Sequence, residues 1–406
     1  MLIPSAEISV LVRVAILALA VAAFPSLASS QSRAPGVTDT EIVIGVTAPL
    51  SGPAAIYGNL AVAKEAWARY INDQGGVHGR KLKVVVKDDG FHPARALANL
   101  REMKDSVFLA AGLVGSAVVS ATRDEITETR LPLLNAYASP RLWAREPREK
   151  LRYVFIDYPD YTDEADYLVT YAVANLGAQK LAVFYQNDDW GRGVMEGVTR
   201  ALGVIGPKAT LAAALGYEVS DRALSAQAQK FKDSGADTLF LAALNTPSAT
   251  LVREMAKLGY RPRLIGSFTI GDHLVMYRLL GELWEGAYYS VIGAVPGDPE
   301  ARAVLDILMR YEPKLEGREA TALTGATNMI LVVEGLRRAG RNLTRDGFVE
   351  ALETLKGYTV LGLSAPITFG PLHHHGLNAV RLMRAQKSTD RSYIQVAPYQ
   401  VFKALF

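Results

Sequence analysis

Apolar and polar positions in this chain fall into blocks that alternate between two periods. The β-branched run Ile42-Val43-Ile44-Gly45-Val46 is long enough for one buried strand and stops at the turn Pro49-Leu50-Ser51-Gly52-Pro53. Small residues then open a helix, which Gly75-Gly76 and Gly79 close. A second apolar run, Leu82 to Val86, leads into Asp88-Asp89. The whole predicts a β-α-β unit with its first turn shaped for close approach.

The rhythm continues. Helical spacing covers Ala94 to Lys104, a strand pattern covers Val107 to Leu113, and a helix runs on through Ile126. Short strands are predicted at Leu131 to Ala136 and at Tyr153 to Ile156, followed by Asp157-Tyr158-Pro159-Asp160-Tyr161, which reads as a crossing between lobes. A second set follows: strands at Lys180 to Tyr185, Thr238 to Ala243 and Arg263 to Ile265 alternate with helices at Asp163 to Asn175, after Gly191 to Leu202, at Ser225 to Ser234 and at Thr250 to Leu258. Alternation of this kind argues for parallel sheets with right-handed crossovers. After Tyr288 to Ile292, three helices (Pro299 to Tyr311, Ala322 to Arg338, Thr344 to Leu355) come with little strand between them. They need an existing sheet to pack on, most simply the first. Pro366 to Phe406 returns to strands at Ala379 to Met383 and Tyr393 to Val396. The fold class expected is α/β, with two doubly wound parallel-sheet lobes joined by three hinge segments. The expected lobes are 40–156 with 290–365, and 157–289 with 366–406.

Composition narrows this further. At 406 residues the chain is long enough for two cores, and a net charge of +3 offers no strong field for nucleic acid or an acidic membrane. Arg13, the apolar segment Val14 to Phe24, Pro25 and Ser26-Leu27-Ala28 read as a signal peptide, 1–28, cleaved after Ala28. Glu7 is unusual for such a leader, and an anchor that stays attached is the alternative. The absence of cysteine excludes disulfides, thiol catalysis, thiolate metal sites and a lipidated N-terminal cysteine. A freely diffusing periplasmic protein fits these features.

Chemical motifs are few. Gly191-Arg192-Gly193 with Gly197 gives GxGxxxG, in which Trp190 and Arg192 would crowd a pyrophosphate, so a ligand turn or simple helix start is the better reading. His373-His374-His375 on an extended segment would point to alternate faces and make a poor chelate, which favours a solvated loop. Asp88-Asp89 fits a helix-cap and hinge element better than a divalent-ion site. No GxSxG elbow, GxxxxGK[ST] or HExxH is present. No catalytic residue, metal site or cofactor is expected. Gly112-Leu113-Val114-Gly115-Ser116 sets a hydroxyl at a strand-to-helix turn, where Ser116 and the N–H groups of Ser116 and Ala117 suit either anion capture or an ordinary N-cap.

From about Glu41 to the C-terminus the chain resembles the solute-binding proteins of branched-chain-amino-acid-type ABC transporters, the leucine-binding family with the type I periplasmic binding fold. The marks are Pro49-Leu50-Ser51-Gly52 with Tyr57-Gly58, Ile71-Asn72 with Gly75-Gly76 and Gly79, Asp88-Asp89 with Pro93, and Trp190-Gly191 with Gly193. The resemblance implies a monomer with a ligand in the interlobe cleft and delivery to a membrane permease. It implies that Gly115, Ser116 and Ala117 hold the ligand carboxylate. The next loop is Asn135-Ala136-Tyr137-Ala138-Ser139; Ala138 stands where amino-acid binders carry Ser or Thr, with Ser139 as the possible substitute. Trp190 aligns with a family Tyr. After Gly266, where amino-acid binders place an acid for the ligand ammonium, this chain reads Ser267-Phe268-Thr269, with Asp272 four residues on as the alternative source of that charge. Loss of that ion pair in a dry cleft costs several kcal/mol. Ser51, Ser116, Ala138 and Ser139 are therefore expected to orient the polar end, and Tyr57, Tyr137, Trp190 and Phe268 to enclose the body. The ligand expected is a small aromatic or apolar carboxylate, with leucine, isoleucine and valine bound weakly. The alternatives are an amino-acid binder of the same family, a sensor feeding a regulator, and an exported enzyme.

Overall fold

The computed structural model describes residues 34–387 and 392–406; the expected leader, 1–28, lies outside them. The chain opens with β1 (Glu41–Ala48), a helical turn at Ala55–Gly58, α1 (Asn59–Asp73), β2 (Lys81–Asp88), α2 (Pro93–Met103), β3 (Leu109–Val114), α3 (Ser116–Thr129), β4 (Leu133–Tyr137) and the short α4 (Arg141–Ala144). These strands form one sheet in the order β2-β1-β3-β4, all parallel. β3 is buried along its whole length because helices cover both faces of this inner strand, which is why it reads as an unbroken apolar run.

The second sheet is built from α5 (Tyr161–Leu176), β5 (Lys180–Gln186), α6 (Asp189–Ile205), β6 (Thr210–Tyr217), α7 (Ser225–Ser234), β7 (Thr238–Ala242), α8 (Asn245–Lys257), β8 (Arg263–Gly266), α9 (His273–Leu280) and β9 (Tyr288–Val291). The chain then contributes α10 (Arg302–Tyr311), α11 (Glu319–Ala339) and α12 (Arg345–Glu353). As the pattern predicted, α11 packs on the first sheet, against α1 and β3. Gly325 makes this contact possible, since a Cβ there would lie 2.5 Å from the Leu60 carbonyl oxygen.

β10 (Ala379–Ala385) and β11 (Tyr393–Val401) complete the second sheet, whose order is β11-β10-β9-β8-β7-β5-β6. Here the structure adds to the parallel expectation: β10 runs antiparallel to β9, and β11 to β10. Arg381 pairs with Val291, so the chain re-enters the sheet at the end where β9 left it. β6 was not legible in sequence. Its Thr-Leu-Ala-Ala-Ala-Leu-Gly-Tyr is rich in alanine, a residue depleted in strands.

The connections between the sheets are tied together by isolated bridges, Ile156 to His375 and Gly293 to Ser364. The histidines that read as a solvated loop lie in this region, and for two of them that reading fails. His374 and His375 are buried. His374 stacks on Phe155 and meets Glu353 at 3.1 Å. The His375 ring spans the Tyr158 carbonyl (2.9 Å) and the Leu405 N–H (3.1 Å). Packing of the crossing segments, which has no local signature, draws both rings inside. Among the described residues there is no cluster of His, Cys, Asp and Glu able to hold a metal, and no helix long and apolar enough to cross a membrane.

Candidate ligand-binding cleft

A cavity of about 120 Å³ lies between the two sheets, at the carboxyl ends of β3, β4, β5, β7 and β8. That is where open α/β sheets place ligands. Its wall brings together Tyr57, Gly115, Ser116, Tyr137, Trp190 and Phe268 from the sequence-predicted set. It also holds Phe91, Tyr158, Tyr161, Gln186 and Asn245, which the sequence reading did not assign, and Asp272, which that reading kept as the alternative acid.

The aromatic wall is built around Phe268. Its ring stacks on Tyr161 with centroids 5.2 Å apart and an 11° interplanar angle, and meets Tyr158 edge-on at 5.1 Å. Tyr161 reaches Trp190 at 5.3 Å, and Tyr158 reaches Tyr137 at 5.1 Å. Tyr158 and Tyr161 share a hydroxyl–hydroxyl hydrogen bond of 2.8 Å. Both belong to the crossing Asp157-Tyr158-Pro159-Asp160-Tyr161. A crossing that carries two tyrosines past the strand ends was the signal available in sequence.

Each wall residue is fixed from behind. The loop bearing Phe268 is anchored by Glu164 of α5, whose carboxylate accepts from the Phe268 N–H (2.7 Å), the Ser267 hydroxyl (2.8 Å) and the Ser290 hydroxyl. Burial pushes that carboxyl up to about 7, against the lowering effect of its donors. Trp190 is set at the start of α6, where Asp188 accepts from the Trp190 and Gly191 amides. A Cβ at Gly191 would fall 1.8 Å from the Gln186 carbonyl oxygen, and one at Gly197 2.2 Å from that of Thr162. The glycine pattern thus serves a helix start and the close approach of α5 and α6.

Tyr137 donates its hydroxyl to Asn328 Oδ1 of α11. Asn328 and Asn135 both donate to Asp157 Oδ2, at 3.0 and 2.8 Å. Lys64 lies beneath, fully buried, 5.7 Å from the Tyr137 ring centroid and donating to the Ala111 carbonyl at 2.9 Å. Burial brings its ammonium down to about 7, although Asp157 favours the charged form.

Polar groups converge at two places. At the Gly115–Ser116 turn α3 begins with no side-chain cap, so its first amides, which have no acceptor within the helix, also lack one from a capping side chain. The Ser116 hydroxyl accepts from the Ser139 amide at 3.0 Å. Elsewhere in the wall, the Tyr57 hydroxyl bridges Asn245 Oδ1 (3.1 Å) and the Thr269 carbonyl (2.8 Å). Asp272 caps α9 through the Val275 amide (3.1 Å) and accepts from Thr321 of α11 (3.0 Å). Burial raises the Asp272 carboxyl pKa.

The remaining sequence-predicted residues lie outside this wall. Ser51 is exposed, and its amide and hydroxyl both go to Asp88. Ala117 presents an exposed side chain on α3, and Ala138 is buried in the core. Ser139 faces a separate surface cleft with Arg141 and Glu196. Asp88 and Asp89 order loops instead of capping α2: Asp88 takes the Leu50, Ser51 and Gly90 amides, and Asp89 takes the Phe91 amide and the Thr47 hydroxyl.

Comparison with known proteins agrees with this geometry. The family model described as periplasmic binding protein matches residues 41–390. The leucine-, isoleucine-, valine-, threonine-, and alanine-binding protein of Pseudomonas aeruginosa is 23% identical over 326 residues, covering 80% of this chain and 83% of that protein. The fatty acid ABC transporter substrate-binding protein from Thermomonospora curvata superposes with a TM-score of 0.80 at 21% identity, covering 93% of this chain and 97% of that one. An ABC transporter solute binding protein from R. palustris, in complex with 4-hydroxybenzoate, gives 0.75 at 20% identity, covering 90% and 98%. With its two open sheets, its cleft at their strand ends and a family match over most of its length, the chain belongs to the periplasmic binding protein family.

Proposed function

We propose that this protein is the extracytoplasmic receptor of an ABC importer and that it binds a small aromatic or apolar carboxylate. The lobes, expected at 40–156 with 290–365 and at 157–289 with 366–406, close on one ligand. Burial of that ligand biases the open–closed equilibrium that a permease reads. No chemistry is performed, the protein acts as a monomer, and the leader is removed after Ala28 on export to the periplasm.

The observation that carries the ligand class is the Phe268–Tyr161 stack, with Trp190 and Tyr158 around it. It supplies flat apolar surface in the loop where amino-acid binders carry an acid. The Gly115–Ser116 turn supplies amide donors for the carboxylate.

One observation favours a second reading. Asp272 places a carboxylate in the cavity wall, and its oxygens retain acceptor capacity beyond Val275 and Thr321. An α-ammonium there would make the protein an amino-acid binder, as the name of its Pseudomonas relative says of that protein. Native mass spectrometry of the purified protein, followed by calorimetric titration with benzoate, 4-hydroxybenzoate, leucine and valine, separates the two. Tight benzoate or 4-hydroxybenzoate binding is expected. Tight leucine binding with no response to the aromatic acids overturns the carboxylate reading and leaves the receptor assignment standing.

A further inference from the structure

Phe91 stands out in the loop between β2 and α2. Gly90 and Phe91 both occupy the left-handed region, at φ 57° and 64°. Glycine does so freely, but a bulky aromatic residue is a true outlier there, and such strain persists only where the surroundings enforce it. The enforcing contacts come from Asp89, which is fully buried. Its carboxylate accepts the Phe91 amide at 2.8 Å and the Thr47 hydroxyl at 2.9 Å, and its carbonyl accepts the His92 amide at 2.9 Å. The strained backbone lays the ring onto Gly115. A Cβ built on Gly115 would lie 2.6 Å from Phe91 Cε2 and 2.9 Å from Cζ, so the ring could sit this close only to a glycine, and would have to swing aside for any other residue. Gly115 has φ 107° and directly precedes the uncapped start of α3. The Phe91 ring is half-buried and forms part of the cavity wall beside Gly115 and Ser116.

We propose that Phe91 is a specificity-determining seal: it covers the Gly115–Ser116 turn, keeps water from the amides that receive the ligand carboxylate, and favours carboxylates flanked by apolar carbon. This rests on the carboxylate reading of that turn. Excluding water strengthens hydrogen bonds to an anion, because the competing solvent is gone and the local dielectric is low. Both partners follow strands of the first sheet, so the cover is independent of contact with the second sheet.

The test uses the full chain carrying Phe91→Asn, which tolerates the left-handed backbone, with Phe91→Gly as a second ring-less variant and Phe91→Tyr as the conservative control. Hydrogen exchange of the amides at Ser116 and Ala117 is read without ligand, and benzoate dissociation is read by stopped-flow tryptophan fluorescence. The ring-less variants are expected to exchange about tenfold faster at these amides and to release benzoate about tenfold faster. Phe91→Tyr is expected to restore both. Unchanged exchange in the ring-less variants overturns the proposal, as does faster exchange with an unaltered benzoate off-rate. Faster exchange in a protein that does not bind benzoate upholds the cover and refutes the ligand class instead.

Discussion

The Tyr57 hydroxyl lies 2.8 Å from the carbonyl oxygen of Thr269, a residue 212 positions later in the chain. Tyr57 follows β1 of the first sheet and Thr269 follows β8 of the second, so this hydrogen bond spans the cleft. Tyr57→Phe keeps the ring and removes the bond. The expected result is a loss of about 1 kcal/mol, roughly fivefold in ligand affinity, measured by calorimetry with benzoate. Burial and the nearby Asp272 charge push the phenol far above its usual range, so wild-type affinity should show no step attributable to Tyr57 up to pH 9. An unchanged affinity in the variant would remove Tyr57 from the closure mechanism.

Phe268 is the keystone of the aromatic wall, with Tyr161 on its face and Tyr158 at its edge. Phe268→Ala should destabilise the protein by about 3 kcal/mol, the usual cost of emptying a buried aromatic site, and abolish measurable benzoate binding. Urea unfolding gives the first quantity and titration the second. A loss below 1 kcal/mol would mean that the wall collapses to fill the space.

Glu164 gives a pH signature of definite sign. Its carboxyl is raised from 4.5 to about 7 by burial, so the unfolded chain releases this proton at lower pH than the folded one. Stability from this site is therefore full below pH 4.5 and falls as pH rises toward 7. Glu164→Gln removes that dependence, and its stability relative to wild type should climb by up to roughly 3 kcal/mol between pH 4.5 and 7. Chemical denaturation of both proteins across that window checks it; parallel curves would exclude the shift.

His375 works in the opposite sense. Burial lowers its ring from 6.5 to about 4, even though the Tyr158 carbonyl favours the charged form. Its contribution is complete above pH 6.5 and is lost as pH falls through that value toward 4, because the unfolded chain takes up the proton first. The loss amounts to roughly 3 kcal/mol. His375→Gln retains a donor for Tyr158 and an acceptor for Leu405, and should flatten the acid limb between pH 6.5 and 4. An acid limb that stays steep in the variant would assign it to other groups.

Much of the architecture is readable from pattern. The run Ile42–Val46 and its Pro-Ser-Gly turn became β1 and the loop leading to Tyr57, and the late helices packed on the first sheet as their missing strands demanded. β6 escaped because its alanines carry no strand signal. At the site, Gly115 and Ser116 were legible as a hydroxyl at a strand-to-helix turn, whereas Tyr57, Tyr137, Trp190 and Phe268, which also line the cavity, came from the family resemblance. Ser51 and Ser139 lie outside the cavity wall: Asp88 accepts the Ser51 hydroxyl and Ser116 accepts the Ser139 amide, long-range contacts that no local stretch of sequence shows.

The sequence by itself determined the β/α alternation, the positions of the turns and the absence of thiol chemistry, because periodicity and turn preference act within a few residues. Only the tertiary structure decided that Tyr158 and Tyr161 face the cleft, that Asp272 lines it, that Phe91 lies on Gly115, and that His374 and His375 are buried. Each of these depends on segments far apart in the chain being pressed together, and the burial energy that selects such contacts belongs to the assembled core rather than to any local stretch.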